Sequence, residues 1–410
     1  MGNKTLREYQ KEIAFDIAFR LVKFSIAYLS SEVRTGKTLM ALEASRLRKA
    51  NRVLFLTKKK AISSILSDYN DFGYEYNLTV INYESVHKIE SNDYDVVIYD
   101  ESHCFGSFPK PSKTAKLLKS RFSKIPCIFL TGTSAIESGS QWYHQFYVSD
   151  YSPFKEYTNF YKWSYDFVTV VLKDFGYAKV KDYTNANREL IEKIIKPVLI
   201  VFTQKEAGFE TVINEKVLYC DIKESTHRLA KRLIKDRVIE GNTDVILADT
   251  PVKLQNKVHQ IYNGTVIGES GNVITLDTSK VEFIKDHFKG SKLALFYFFK
   301  GELSMLKESF GNKITADLEE FNSTDKHIAI QQTSSEGLNL SKADYLIFYN
   351  FGFSGKNYTQ ARDRLSTLTR KTNDVYFVFE RNGISDKIYK RIKEKKSYNS
   401  YFFKKHFINE

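Results

Sequence analysis

Val96-Val97-Ile98-Tyr99-Asp100-Glu101-Ser102-His103 joins four unbroken apolar residues to two carboxylates. So short a run without polar alternation reads as a strand buried on both faces, the mark of a parallel sheet covered by helices. Open α/β sheets bind ligands at the carboxyl ends of their strands, so Asp100 and Glu101 stand where chemistry is expected. Similar runs recur at 53–56, 78–82 and 127–130 with helical spacing between them. They define one α/β domain over residues 1–150. A second series, at 292–299, 328–331, 345–349 and 375–379, has a helical interval at 280–288. It places a second α/β domain at 211–410, whose early part mixes short strands with a helical pattern over 225–240. The intervening 151–210, rich in Tyr, Phe and Lys, reads as a helical insertion and linker.

Upstream of the acidic stretch lies Arg34-Thr35-Gly36-Lys37-Thr38, followed over 39–49 by helix-favouring residues. A helix N-terminus offers unpaired amides and a positive dipole end to a phosphate. Lys37 is then the group for the β- and γ-phosphates, and Thr38 a hydroxyl ligand for Mg²⁺. Asp100 suits the same metal shell, and Glu101 the orientation of an attacking water. Ser31 takes the position of the first glycine of the phosphate-loop consensus. Near the other end, Gln360-Ala361-Arg362-Asp363-Arg364 offers an arginine for a transferred phosphate. Leu130-Thr131-Gly132-Thr133-Ser134 supplies small hydroxyl residues fit to couple the acidic motif to its surroundings.

The net charge of +13 favours a polyanionic partner through phosphate neutralisation and counterion release. Three widely spaced cysteines and scattered histidines form no zinc pattern, so any metal is expected to arrive with the nucleotide. No apolar run approaches the roughly 18 residues needed to span a bilayer, which points to a soluble, cytoplasmic protein without a membrane partner. Residues 387–405 interleave Lys and Arg with aromatics in the manner of a surface helix covering its own core contacts.

These motifs, in this order, resemble helicase superfamily 2, and within it the Swi/Snf-like branch of double-stranded-DNA translocases, over most of the chain. The resemblance implies two RecA-like domains with parallel sheets flanked by helices, and an ATP site that uses Mg²⁺. Leu6-Arg7-Glu8-Tyr9-Gln10 looks like the adenine-recognition motif, implying that Gln10 meets the base while Arg7 and Tyr9 shape its pocket. The phosphate loop would comprise Arg34, Thr35, Gly36, Lys37 and Thr38, with Arg34 standing where the branch has an earlier glycine. Thr57, Lys58 and Lys59 match a phosphate-backbone contact, and Asn82-Tyr83-Glu84-Ser85 a further strand contact through Tyr83. Ser334-Ser335-Glu336-Gly337-Leu338-Asn339-Leu340 is similar to a motif that touches nucleic acid, through Ser334 and Ser335, and the ATP site, through Gly337. Gln360 and Arg364 align with the catalytic-interface glutamine and the first arginine finger. The second finger falls on Thr367, leaving Arg362 and Arg370 as replacements.

The implied activity is that of an ATP-dependent DNA helicase or duplex translocase, a monomer, with DNA as partner. The small size suits a phage-like replication or recombination enzyme working in a host cytoplasm. An RNA helicase is the near alternative, and a non-translocating, ATP-switched nucleic-acid clamp the alternative from another class.

Overall fold

The computed structural model describes residues 5–132, 138–174, 179–209, 212–241, 244–334, 338, 340–353 and 372–393. The chain divides into two compact units, Met1–Gly208 and Phe209–Glu410. Among the described residues no helix is long and apolar enough to cross a membrane.

In the first unit the strands are β1 (Ile26–Ser31), β2 (Arg52–Thr57), β3 (Asn77–Asn82), β4 (Val96–Tyr99), β5 (Cys127–Thr131), β6 (Val171–Asp174), β7 (Lys179–Asp182) and β8 (Leu199–Phe202). Six of them form a sheet in the order β3-β2-β4-β5-β1-β8, with every neighbouring pair parallel. Successive side chains along a strand face opposite sides, so each apolar run feeds two cores. Val53, Phe55, Ala27 and Leu29 join the core lined by α1 (Glu8–Phe24), α2 (Lys37–Leu47) and α3 (Ile62–Asp71). Leu54, Leu56, Tyr28 and Phe129 join the other, with α4 (Lys113–Phe122), α5 (Gln141–Phe146), α6 (Phe160–Phe167) and α7 (Arg188–Ile195). This two-sided burial explains why the strands show no polar alternation.

The stretch 151–210, expected as helical insertion and linker, differs in content. It holds α6 and α7, but also the antiparallel hairpin β6–β7 and the edge strand β8, which pairs with β1 from Tyr28↔Leu199 to Ser31↔Phe202. A four-residue apolar run after a helix carries no periodicity of its own, and its partner is supplied from far away in sequence.

The second unit repeats the plan with β9 (Val212–Cys220), β10 (Val238–Glu240), β11 (Val245–Leu247), β12 (Thr265–Ile267), β13 (Val273–Thr275), β14 (Leu293–Tyr297), β15 (Ile314–Thr315), β16 (His327–Gln331), β17 (Tyr345–Phe348) and β18 (Thr372–Glu380). Its sheet runs β15-β16-β14-β17-β18-β9, again all parallel. Its helices are α8 (Glu224–Asp236), α9 (Pro251–Tyr262), α10 (Ser279–His287), α11 (Lys300–Phe310), α12 (Leu318–Ser323) and α13 (Ser385–Lys393). The helical pattern expected over 225–240 stops short. Arg237 turns into the left-handed region at φ +65°, and 238–240 pairs with β11 as a hairpin. The architecture is thus the expected α/β one: two RecA-like units, each a parallel sheet flanked by helices.

Candidate nucleotide site

β1 delivers the chain into a loop that closes on α2. Gly36, the residue before the helix, has φ +90°, and a Cβ there would lie 2.2 Å from Gln10 Nε2. Only glycine meets both demands without strain. Arg34, where the resemblance leads one to expect glycine, adopts φ +66°, so the loop keeps the left-handed turn with a side chain that tolerates it poorly. Ser31 works differently from the glycine it replaces. Its Oγ lies 2.7 Å from Thr35 Oγ1, and that hydroxyl donates to Glu32 O at 2.8 Å, so the loop is latched by its own side chains. Lys37 opens α2, and its Nζ donates to Ser31 O at 3.0 Å. Thr38 follows, half-buried in the first turn.

The N-terminal residues pack on this loop. Gln10 Nε2 and Tyr9 Oη both donate to Thr35 O, at 3.2 and 3.1 Å, while Gln10 Oε1 accepts from Arg7 N and Arg7 Nη1 donates to Tyr9 Oη. Tyr9 stacks on Phe202 of β8 at 5.0 Å between centroids. Arg7, Tyr9 and Gln10 are therefore brought together with Thr35 and Gly36 across a stretch of sequence that no local signal spans.

The acidic residues emerge at the end of β4. Asp100 Oδ2 accepts from Thr57 Oγ1 at 2.7 Å and Oδ1 from Glu101 N at 3.0 Å. Burial pushes the Asp100 carboxyl up to about 6, and the neighbouring Glu101 charge adds to this; the Thr57 hydroxyl and the Lys37 ammonium work against it. Glu101 itself sits at φ +51°. His103 Nδ1 lies 3.2 Å from Glu101 Oε2 and 2.9 Å from Thr131 Oγ1, joining the ends of β4 and β5. Beneath, Ser102 Oγ donates to Tyr28 Oη at 3.2 Å, and Tyr28 donates in turn to Gln145. Two neighbouring carboxylates, one destabilised in its charged form by burial and drawn back by the Lys37 ammonium, are of the kind a divalent cation takes. Asp100 and Thr38 are the residues that would hold it.

Two residues expected to contact nucleic acid are oriented otherwise. Thr57 is fully buried, its hydroxyl committed to Asp100, because the last residue of β2 lies beside the end of β4. Tyr83 is half-buried and turns inward, its hydroxyl donating to the Asp100 carbonyl at 2.5 Å. Lys58 and Lys59, one and two residues past Thr57, stand half-buried and exposed, respectively. In the second unit Ser334 ends a short 3-10 turn, half-buried. Ser335, Gly337, Gln360 and Arg364, with Arg362, Thr367 and Arg370, lie outside the described residues.

No family model and no curated protein matches this chain. Among the solved structures similar to it are two from one archaeon. The Sulfolobus solfataricus SWI2/SNF2 ATPase core in complex with dsDNA covers 99% of this chain and 93% of its own, at 15% identity and a TM-score of 0.44. The SWI2/SNF2 ATPase core domain of the same organism covers 96% and 89%, at 15% identity and a TM-score of 0.42.

His103, Ser102, Tyr28 and Gln145 escaped the sequence reading as site residues. His103 carried a signal, since it follows the carboxylates by two positions. The Tyr28 and Gln145 side chains carried none, since Tyr28 on β1 meets Ser102 and Gln145 of α5 only in the folded unit.

Proposed function

We propose that the protein is a Swi/Snf-like superfamily 2 ATPase that couples Mg²⁺-dependent ATP hydrolysis to movement along, or remodelling of, duplex DNA. The observation that carries this reading is one junction. A lysine at a helix N-terminus, a glutamine fixed to the loop that leads into that helix, and a carboxylate pair at the end of β4 all occur within one unit. In this reading Lys37 exchanges its contact with Ser31 O for the β- and γ-phosphates. Glu101, steadied by His103, orients the attacking water and takes up its proton. Magnesium, when bound, would neutralise charge on the phosphates. Gln10 and Arg7 recognise the base side. Gln360 and Arg364 are proposed to stabilise the transferred phosphate. Lys58 and Lys59 track DNA phosphates without reading bases, and a monomer suffices for the cycle.

The test is the ATPase rate measured with no nucleic acid, single-stranded DNA, duplex DNA, forked DNA and RNA, for the wild type and Lys37→Ala. Duplex or forked DNA is expected to stimulate the wild type most, and Lys37→Ala to lose that turnover while remaining folded. Selective stimulation by RNA would make the protein an RNA enzyme. DNA binding without stimulated turnover would make it an ATP-switched clamp.

A further inference from the structure

In the second unit a buried carboxylate with no place in the nucleotide chemistry ties the start of α11 to the loop after β17. Glu302, in the first turn of α11, is fully buried. Its Oε2 accepts from Phe298 N at 2.8 Å and Phe299 N at 3.0 Å, and its Oε1 from Asn350 Nδ2 at 2.5 Å. Asn350, just past β17, is 1% exposed and caps its own loop by accepting from Phe351 N at 2.8 Å. Two residues on, Gly352 N donates to Oε1 of the equally buried Gln332 at 2.6 Å. A Cβ on Gly352 would meet the Phe298 ring at 2.4 Å, and Gln331 Nε2 holds the Phe298 carbonyl at 3.0 Å. The loop 350–352 is thus fastened at both ends.

Burying a carboxylate is costly, and an apolar group of similar volume often serves stability as well. What the polar arrangement adds is a single allowed geometry: the carboxyl oxygens accept where three N–H donors converge. From this loop the chain enters residues 354–371, which carry Gln360 and Arg364. Gln332, for its part, immediately precedes the stretch with Ser334 and Ser335. We propose that Glu302 and Gln332 are positioning residues, which hold the 350–352 loop, the stretch from which the chain runs on to Gln360 and Arg364. The inference rests on the ATPase reading given above.

The test exploits the polarity of the pair. Glu302→Gln sets an amide against the Asn350 amide, and Asn350→Asp sets two carboxylates together. Combining Glu302→Gln with Asn350→Asp restores a donor facing an acceptor with its direction reversed. Each single variant is expected to lower DNA-stimulated kcat by about tenfold to a hundredfold, the scale of a small misplacement of a catalytic group. KM for ATP should stay within about twofold, and the double variant should recover kcat to within about threefold. Gln332→Met, which removes the acceptor of the Gly352 N–H, is expected to move kcat the same way. Thermal melting of every variant is followed in parallel. Single variants that melt earlier yet keep wild-type stimulated kcat would reduce both residues to structural ones and overturn the proposal. So would a double variant no better than the singles. A wild type without Lys37-dependent turnover would instead overturn the ATPase reading, and this inference with it, and would be recognised by that control alone.

Discussion

Asp100 shows how a single position is prepared for its task. Its carboxylate is pressed toward the neutral form by burial and by Glu101, and the Thr57 hydroxyl is what the sequence supplies against that pressure. Thr57→Val fills the same volume and removes the donor. The variant should lose about 1–2 kcal/mol of stability, the scale of a hydrogen bond to a charged group discounted for partial exposure. Urea unfolding checks this. Because the lost donor favoured the ionised form, the acid limb of the ATPase pH profile should shift to higher pH; an unshifted limb would separate Thr57 from Asp100 function. Glu101→Gln keeps the shape and loses the base, so ATP binding should persist while single-turnover hydrolysis falls about a hundredfold or more.

At the scale of elements, adjacent parallel strands deliver their last residues to one edge. β3, β2 and β4 are neighbours, so Tyr83 after β3, Thr57 on β2 and Asp100 after β4 come together there. The Tyr83 hydroxyl reaches the Asp100 carbonyl from the 3-10 turn Tyr83–Lys88, tying that turn to the acidic loop. Tyr83→Phe retains the ring, which packs edge-on against Phe105 at 5.4 Å, and loses only the bond. We expect a stability loss of about 1 kcal/mol in denaturant titration. DNA-stimulated hydrolysis should drop more than basal hydrolysis if the turn reports nucleic-acid contact to the acidic loop, and equal drops would assign Tyr83 to support alone.

For the molecule as a whole, two demands can be read out separately. Desolvation holds the buried His144 imidazole down to about 4, against a backbone hydrogen bond from the Ser107 region that raises it. The folded chain then binds fewer protons at this site than the unfolded one, so its stabilising contribution is full above about pH 6.5 and is lost as the pH falls toward 4. Replacing it by an apolar ring, His144→Phe, should flatten the melting temperature over that window; an unchanged slope would place the acid sensitivity elsewhere. The second demand concerns Arg364. Arg364→Ala is expected to lower nucleic-acid-stimulated hydrolysis by about a thousandfold while leaving ATP affinity nearly intact, as measured by stopped-flow turnover and nucleotide titration. Normal stimulated turnover in that variant would give the second unit another role.

The local chemistry of the sequence determined the α/β class, because runs such as 96–99 and 127–130 have no polar face to offer water and must be buried on both sides. It also put Lys37 at the start of a helix and Asp100 and Glu101 at the end of a strand, since each is marked by neighbours only a few residues away. Only the tertiary structure decided the orientation of Thr57 and Tyr83 toward Asp100, the latch between Ser31 and Thr35, the pairing of β8 with β1, and the fastening of 350–352 by Glu302 and Gln332. The reason is physical: strand order and register bring together donors and acceptors from distant parts of the chain, and a hydrogen bond is directional while hydrophobic periodicity is not. Periodicity therefore says which face turns inward, and the assembled sheet says what that face meets.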